Sequence, residues 1–272
     1  MSEGISRRTV LGMGAAAGGG LLLGVKLRAQ EKAEKAKRCV VVWSEGTAPK
    51  RVYPKDINGA IAEGLAKLEG WEVVTANLKD PDQGIPDDLL KRTDVLIWWG
   101  HQKHGDVKDD LVKRIVARVK EDGMGFISLH SSHFAKPNKA LMGTACSWKA
   151  YKGDSTTLKV TVKEPDHPIA KGIKEFTIEH SERYSDPYAV PKPDAVVFEG
   201  VAALKDGGTD PSQQGLCWKI GKGKMFYFQP GHETNPVFFD ENVRKIMINT
   251  VKWCVEKDDS TGKGTDVKPP TK

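Results

Sequence analysis

From Lys37 onward the chain alternates unbroken apolar runs with amphipathic stretches. "CVVVWSE" is an apolar run, and "PKDINGAIAEGLAKL" after it places its apolar residues at helical spacing. "WEVVTAN" and "DVLIWWG" are again apolar, "DDLVKRIVARVKED" is helical, and "GMGFISL" is a fourth apolar run. Runs of this length separated by helices are what a parallel sheet covered on both faces requires. The first half is therefore expected to be an open, doubly wound, mostly parallel α/β sheet.

The second half is richer in strands: "STTLKVTVK", "EFTIEHS", "AVVFEG", "GLCWKIG" and "GKMFYFQPG". The last two are joined by Gly221 to Gly223 and form a hairpin signal. A final amphipathic helix is expected from near Asn235. No linker or repeat divides these halves, so residues 37–256 are expected to form one domain, preceded by an export segment and linker (1–36) and followed by a polar tail, disordered from its composition (257–272).

The N-terminal stretch changes the meaning of the charge. Arg7 and Arg8 precede an apolar stretch from Val10 to Leu23, and "LRAQ" offers Ala29 for cleavage. "SRRTVL" is similar to a twin-arginine export motif, with Val10 where Phe is more usual, so the expected location is periplasmic and no stable membrane span is expected in the mature form. Residues 1–38 hold eight Lys or Arg against three Asp or Glu, which is +5 of the whole chain's +6. The remaining domain is near neutral and shows no basic stripe, which argues against a nucleic-acid partner. Cys39, Cys146, Cys217 and Cys254 show neither CxxC nor zinc-ribbon spacing and are expected as free thiols.

In an open α/β sheet, ligands bind beyond the carboxyl ends of the strands. Those ends carry Glu45, His101, "HSSH" (His130 to His133), "HSERY" (His180, Glu182, Tyr184) and "GHE" (His232, Glu233). Six of the seven histidines fall in or just past these segments, so the pattern is that of a site rather than of scattered imidazoles. His101, His133 and His232, with Glu45 or Glu182, form a candidate set for a divalent metal of the Zn, Mn or Fe type. The competing arrangement makes Ser131 a nucleophile with His232 as base and Glu233 or Glu182 orienting it. Bulky "LHSSH" in place of a G-x-S-x-G elbow counts against that arrangement. His104 reads as a solvated loop residue and His167 as a turn residue between prolines. Trp148 and Tyr188 offer an apolar platform that suits a sugar ring, while Lys136, Asn138 and Lys139 either contact substrate or cap a helix.

"VLIWWGHQKH", "GFISLHSSHFAKPNKALMGT", "HSERY" and "FQPGHETNPVFFDENVRKIMINTVKW" together resemble the ThuA-like (trehalose utilisation) family, over Lys37 to Glu256. The resemblance implies a class I glutamine amidotransferase-like (flavodoxin-like) fold with extra strands in the second half. It also implies that His130-Ser131 replaces the amidotransferase cysteine, so glutamine should not be hydrolysed. Carbohydrate chemistry on 3-keto-glycosides or related oxidised disaccharides is then expected. On that reading His101, His133 and His232 would be metal ligands and Glu182 a ligand or base. His130 and Ser131 would be further catalytic candidates, and Glu45, Trp148, Tyr184 and Lys136 would contact substrate. A noncatalytic sugar-binding protein and a Ser131/His232 hydrolase are the alternatives, and a homo-oligomer is left open.

Overall fold

The computed structural model describes residues 37–257. Residues 1–36, expected as an export segment and linker, and residues 258–272 lie outside the described residues. The chain from Arg38 forms one compact unit, built on a nine-stranded sheet of order β2-β1-β3-β4-β9-β8-β7-β5-β6.

Five of these strands are parallel neighbours: β1 (Arg38–Ser44), β2 (Trp71–Asn77), β3 (Val95–Trp99), β4 (Gly125–Leu129) and β9 (Gly223–Phe228). The other four continue the sheet antiparallel from β9: β8 (Thr209–Ile220), β7 (Ala195–Ala203), β5 (Trp148–Val162) and β6 (Phe176–Tyr188). Trp43 stacks on Trp98 across the β1/β3 pair at 3.7 Å.

The apolar runs are unbroken because both sheet faces are covered. Val40, Val42, Val95, Ile97 and Ile127 point to one core, where α1 (Asp56–Leu65) and α5 (Glu241–Val255) pack. Their alternating neighbours Val41, Trp43, Leu96, Trp98 and Phe126 meet α2 (Asp87–Arg92), α3 (Asp109–Asp122) and α4 (Lys136–Met142) on the other. Ile97 is fully buried at the sheet centre, where truncation to Ala costs about 2–5 kcal/mol. All four cysteines are free and buried, and among the described residues no helix is long and apolar enough to cross a membrane.

The start of α5 and the presence of α2 are among the differences from the sequence reading. α5 starts at Glu241 rather than near Asn235, because Asp240 caps it by accepting from the N–H groups of Asn242 and Val243. Residues 237–239 before it make only a single 3-10 turn, after Pro236. The short helix α2 was too brief to show periodicity.

The strand order reverses at β1, whose neighbours β2 and β3 are reached by opposite windings. A crevice therefore opens beyond the carboxyl ends of β1 and β3. Glu45 and His101 follow those two ends, His130 follows β4, and His232 and Glu233 follow β9.

Candidate active site

Two imidazole–carboxylate pairs flank one further histidine. In the first, His101 Nδ1 lies 2.7 and 2.8 Å from the two carboxylate oxygens of Glu233. Gln102 Nε2 also donates to Glu233, at 3.1 Å. Hydrogen bonding to Glu233 holds the His101 pKa above its ordinary 6.5. Burial pushes Glu233 upward, but the bond from His101, the residue's own backbone N–H and the charges of His232 and His101 outweigh it and hold the carboxyl down at about 2. His101 Nε2 takes no part in this pair, and the side chain is 33% exposed. A carboxylate on Nδ1 with Nε2 left for a ligand is the arrangement that fixes an imidazole's tautomer for proton transfer.

The second pair is His130 with Glu182. His130 Nδ1 donates to the Gln229 carbonyl at 2.6 Å, and Nε2 faces Glu182 Oε2 at 2.8 Å. Tyr184 Oη lies 2.9 Å from the same Nε2 and 3.0 Å from Ser131 Oγ. Burial raises Glu182, and its bonds and charge contacts with His130 and His232 more than cancel this, leaving the carboxyl below its ordinary value. Burial and the Glu182 charge push the Tyr184 phenol well above 10.

His232 stands between the pairs, its ring centroid 5.1 Å from that of His101 and 5.5 Å from that of His130. Its Nε2 is 3.6 Å from Glu233 Oε2 and 3.7 Å from Glu182 Oε2. Burial and the His130 charge lower its pKa. Nδ1 lies 2.7 Å from Thr234 Oγ1 and also accepts from the Thr234 N–H at 3.2 Å.

Local backbone explains why these side chains converge. His130 occupies the left-handed region at φ 50°, the sharp strand-to-turn geometry that the bulky neighbours of Ser131 argued against. It is held there by the Nδ1 bond to Gln229 and by Tyr227 Oη, which donates to its carbonyl at 2.9 Å. Gly231 has φ 140°, and a Cβ there would lie 2.6 Å from Phe238 Cζ, so only glycine lets the β9 turn pass close to His130. Glu182 reaches the site from the distant edge strand because the buried Gln229 amide bonds both backbone groups of Tyr184 and the carbonyl of Gln213. The role of Gln229 has no sequence signature.

Several expected roles are corrected. His133 does not join His101 and His232: its Nδ1 donates to the Cys146 carbonyl at 2.7 Å, and its ring lies among Phe134, Tyr151, Tyr184, Tyr188 and Tyr227. Burial brings its pKa down to about 3. Among the described residues, the atoms close enough to share an ion are those of His101, His232 and Glu233, and those of His130, Glu182 and His232. Glu45 is buried and spends its oxygens on the N–H groups of Gln102 and Lys103, so it braces the loop instead of facing a ligand. Trp148 is covered by Tyr188, stacked at 4.3 Å, and offers no open platform. Lys136 is tied to the Val107 carbonyl and Asp109, at the start of α3. Ser131 meets a phenol and not the His232 imidazole, so the serine-base pair of the hydrolase alternative is not assembled.

His180 is exposed on β6, and His167 caps a turn by accepting from the Ile169 N–H, as a turn residue should. His104 departs from the solvated-loop reading. Both its ring nitrogens are buried without a hydrogen-bond partner, at a cost of about 1–3 kcal/mol for such a group. Burial, with the charges of His101 and Lys139, brings its pKa down to about 4.

The sequence matches the family described as ThuA, trehalose utilisation, over residues 39–254. The chain belongs to the ThuA family. A ThuA-like protein from Bacteroides uniformis superposes with TM-score 0.56 at 17% identity, covering 83% of this chain and 94% of that one. A glutamine amidotransferase from Thermotoga maritima superposes with TM-score 0.52 at 11% identity, covering 79% and 96%. At such identities these likenesses show the shared fold alone. No curated protein matches the sequence. His130 stands at the end of the fourth strand of this chain's sheet.

Proposed function

We propose that this ThuA-family chain is an exported carbohydrate-processing enzyme that moves protons on an oxidised sugar of the 3-keto-glycoside type. The observation that carries the reading is the His101–Glu233 pair, a carboxylate-held imidazole whose Nε2 stays available at the sheet's carboxyl edge. In a 3-keto-glycoside the carbonyl acidifies the C2 proton. Neutral His101 takes that proton at Nε2, leaving an enolate. The enolate electrons then expel the glycosidic oxygen from C1, and His101 returns the proton to the departing oxygen. Glu233 stabilises the imidazolium formed between these steps, and Gln102 holds Glu233 in place.

The second cluster suits a divalent ion by its donor chemistry. The donor atoms an ion would take are His130 Nε2, an oxygen of Glu182 and His232 Nε2; His130 would give up its contact with Glu182 to the ion, and His232 would need the Nδ1-protonated tautomer, losing the contact from the Thr234 N–H. An ion bound there would supply Lewis-acid polarisation of the C3 carbonyl. Export rests on the Arg7-Arg8 segment and its apolar run, and a periplasmic location follows from it.

The test combines elemental analysis with turnover of 3-keto-trehalose by protein purified without added metal. Wild type should turn the sugar over and hold about one equivalent of a divalent ion. His130→Ala and His232→Ala should lose the ion, whereas His101→Ala should keep it and lose turnover. Turnover undiminished in His101→Ala would overturn the reading.

A further inference from the structure

We propose that Tyr151 is the platform on which the second, non-reacting ring of a disaccharide substrate stacks. The inference rests on the carbohydrate reading above and deepens it, since it assigns a seat to the part of the substrate beyond the reacting ring.

Tyr151 is 42% exposed, one of two large apolar side chains open to solvent among the described residues. A single exposed aromatic is ordinary on a protein surface. This one is fixed in place. Its ring lies nearly parallel to that of His133, 14° between planes with centroids 5.7 Å apart. Phe134 and Tyr184 pack against it at 5.6 and 5.2 Å, and its Oη accepts from the Trp148 N–H at 2.8 Å. An aromatic side chain already held on several sides loses little further freedom when a ligand settles on it.

Its position ties it to the imidazoles. On the β5/β6 ribbon Tyr151 is the direct partner of Tyr184, and residues opposite one another share a sheet face. Tyr184 places its Oη 3.2 Å from Glu182 Oε2 and 2.9 Å from His130 Nε2. Tyr151, Tyr184 and Glu182 therefore stand on the face that looks onto the histidines, with Tyr184 buried and Tyr151 at the open rim. Ring-to-ring steps of 5.2 and 4.9 Å lead from Tyr151 through Tyr184 to His130. Two sugar rings joined through one oxygen span that separation, one ring at the histidines and the other on Tyr151.

The chemistry of the surface fits such an occupant. The face of an aromatic ring is electronegative, and the C–H groups on one side of a pyranose form a slightly positive apolar patch that lies flat on it, leaving the hydroxyls at the edge for water. Trp148, the platform expected from the sequence, is covered by Tyr188, whereas Tyr151 keeps its exposure.

The test compares 3-keto-trehalose with methyl 3-keto-α-glucoside, which keeps the reacting ring and lacks the second one. In wild type the KM for the disaccharide should be lower by about tenfold. Tyr151→Ala and Tyr151→Leu should close most of this gap, with a smaller change in kcat. Tyr151→Phe, which keeps the ring, should retain most of it. General damage to the fold would raise both KM values together, so their ratio isolates the platform.

Equal KM values in wild type, or a gap that survives in Tyr151→Ala and Tyr151→Leu, would overturn the platform and leave the catalytic reading standing on wild-type turnover. A wild type that turns over neither substrate overturns both.

Discussion

Glu233 closes on His101, 132 residues away in sequence, and not on its chain neighbour His232, whose Nε2 stays 3.6 Å from the carboxylate. The late His-Glu dipeptide therefore does not work as one base with its orienting acid. It splits, giving Glu233 to the loop after β3 and His232 to the space between two carboxylates.

Removing that carboxylate has a signed consequence. Glu233 raises the His101 pKa above 6.5, and His101 must be neutral to accept a proton, so activity on 3-keto-trehalose should fall as pH drops through that raised value. Glu233→Gln should lower kcat by about 100-fold or more. It should also move the remaining acid limb, and the His101 NMR titration, to lower pH. An unmoved titration midpoint in the variant would show that the carboxylate does not act on His101.

Gln229 bears the connection between the two halves of the sheet at the site. Its amide satisfies Tyr184 N–H, Tyr184 C=O and Gln213 C=O and is fully buried. Gln229→Leu strands these backbone groups and should destabilise the fold by about 3 kcal/mol, measured by urea unfolding. Stability within about 0.5 kcal/mol of wild type would mean that β6 is held by other contacts.

The parallel half was legible because residues such as Val40 and Val41 are buried on opposite sheet faces, which leaves an uninterrupted apolar run in the sequence. That strand-end histidines gather at one edge was legible for the same topological reason. Their pairing was not, since Glu182 reaches His130 only after an edge strand folds back across Gln229, a relation without local spacing. The H-x-x-H pattern misled for a related reason. His130 turns at positive φ towards the Gln229 carbonyl, while His133 turns towards that of Cys146. His104 has polar sequence neighbours and gave no sign of its burial.

Ser131 donates to, or accepts from, Tyr184 and has no imidazole partner among the described residues. Ser131→Ala should therefore keep turnover of 3-keto-trehalose within about threefold, losing at most a neutral hydrogen bond. A fluorophosphonate probe should leave Ser131 unlabelled. Labelling at this residue, abolished in the alanine variant, would restore the serine-hydrolase alternative.

His104 and His133 make stability depend on mildly acidic pH in a calculable direction. Burial brings both down from 6.5, to about 4 and about 3, so the folded chain keeps them neutral where the unfolded chain would protonate them. Their effect is absent above the unfolded value. As pH falls below 6.5, the unfolded state binds protons that the folded state refuses, and stability drops by about 1.4 kcal/mol per pH unit for each histidine. The loss ends near pH 4 for His104 and near 3 for His133. Glu233, held at about 2, adds a loss that starts only below its own ordinary 4.5, which leaves the interval from 6.5 to 4.5 clear of that carboxyl. The His101–Glu233 pair acts in the opposite sense, since His101 gains stability on protonation, so single variants are needed to separate the contributions. Urea melts of wild type, His104→Leu and His133→Phe at pH 7 and pH 5 should show each variant losing less stability than wild type between the two. Equal losses in all three proteins would show that neither imidazole is held neutral by the fold.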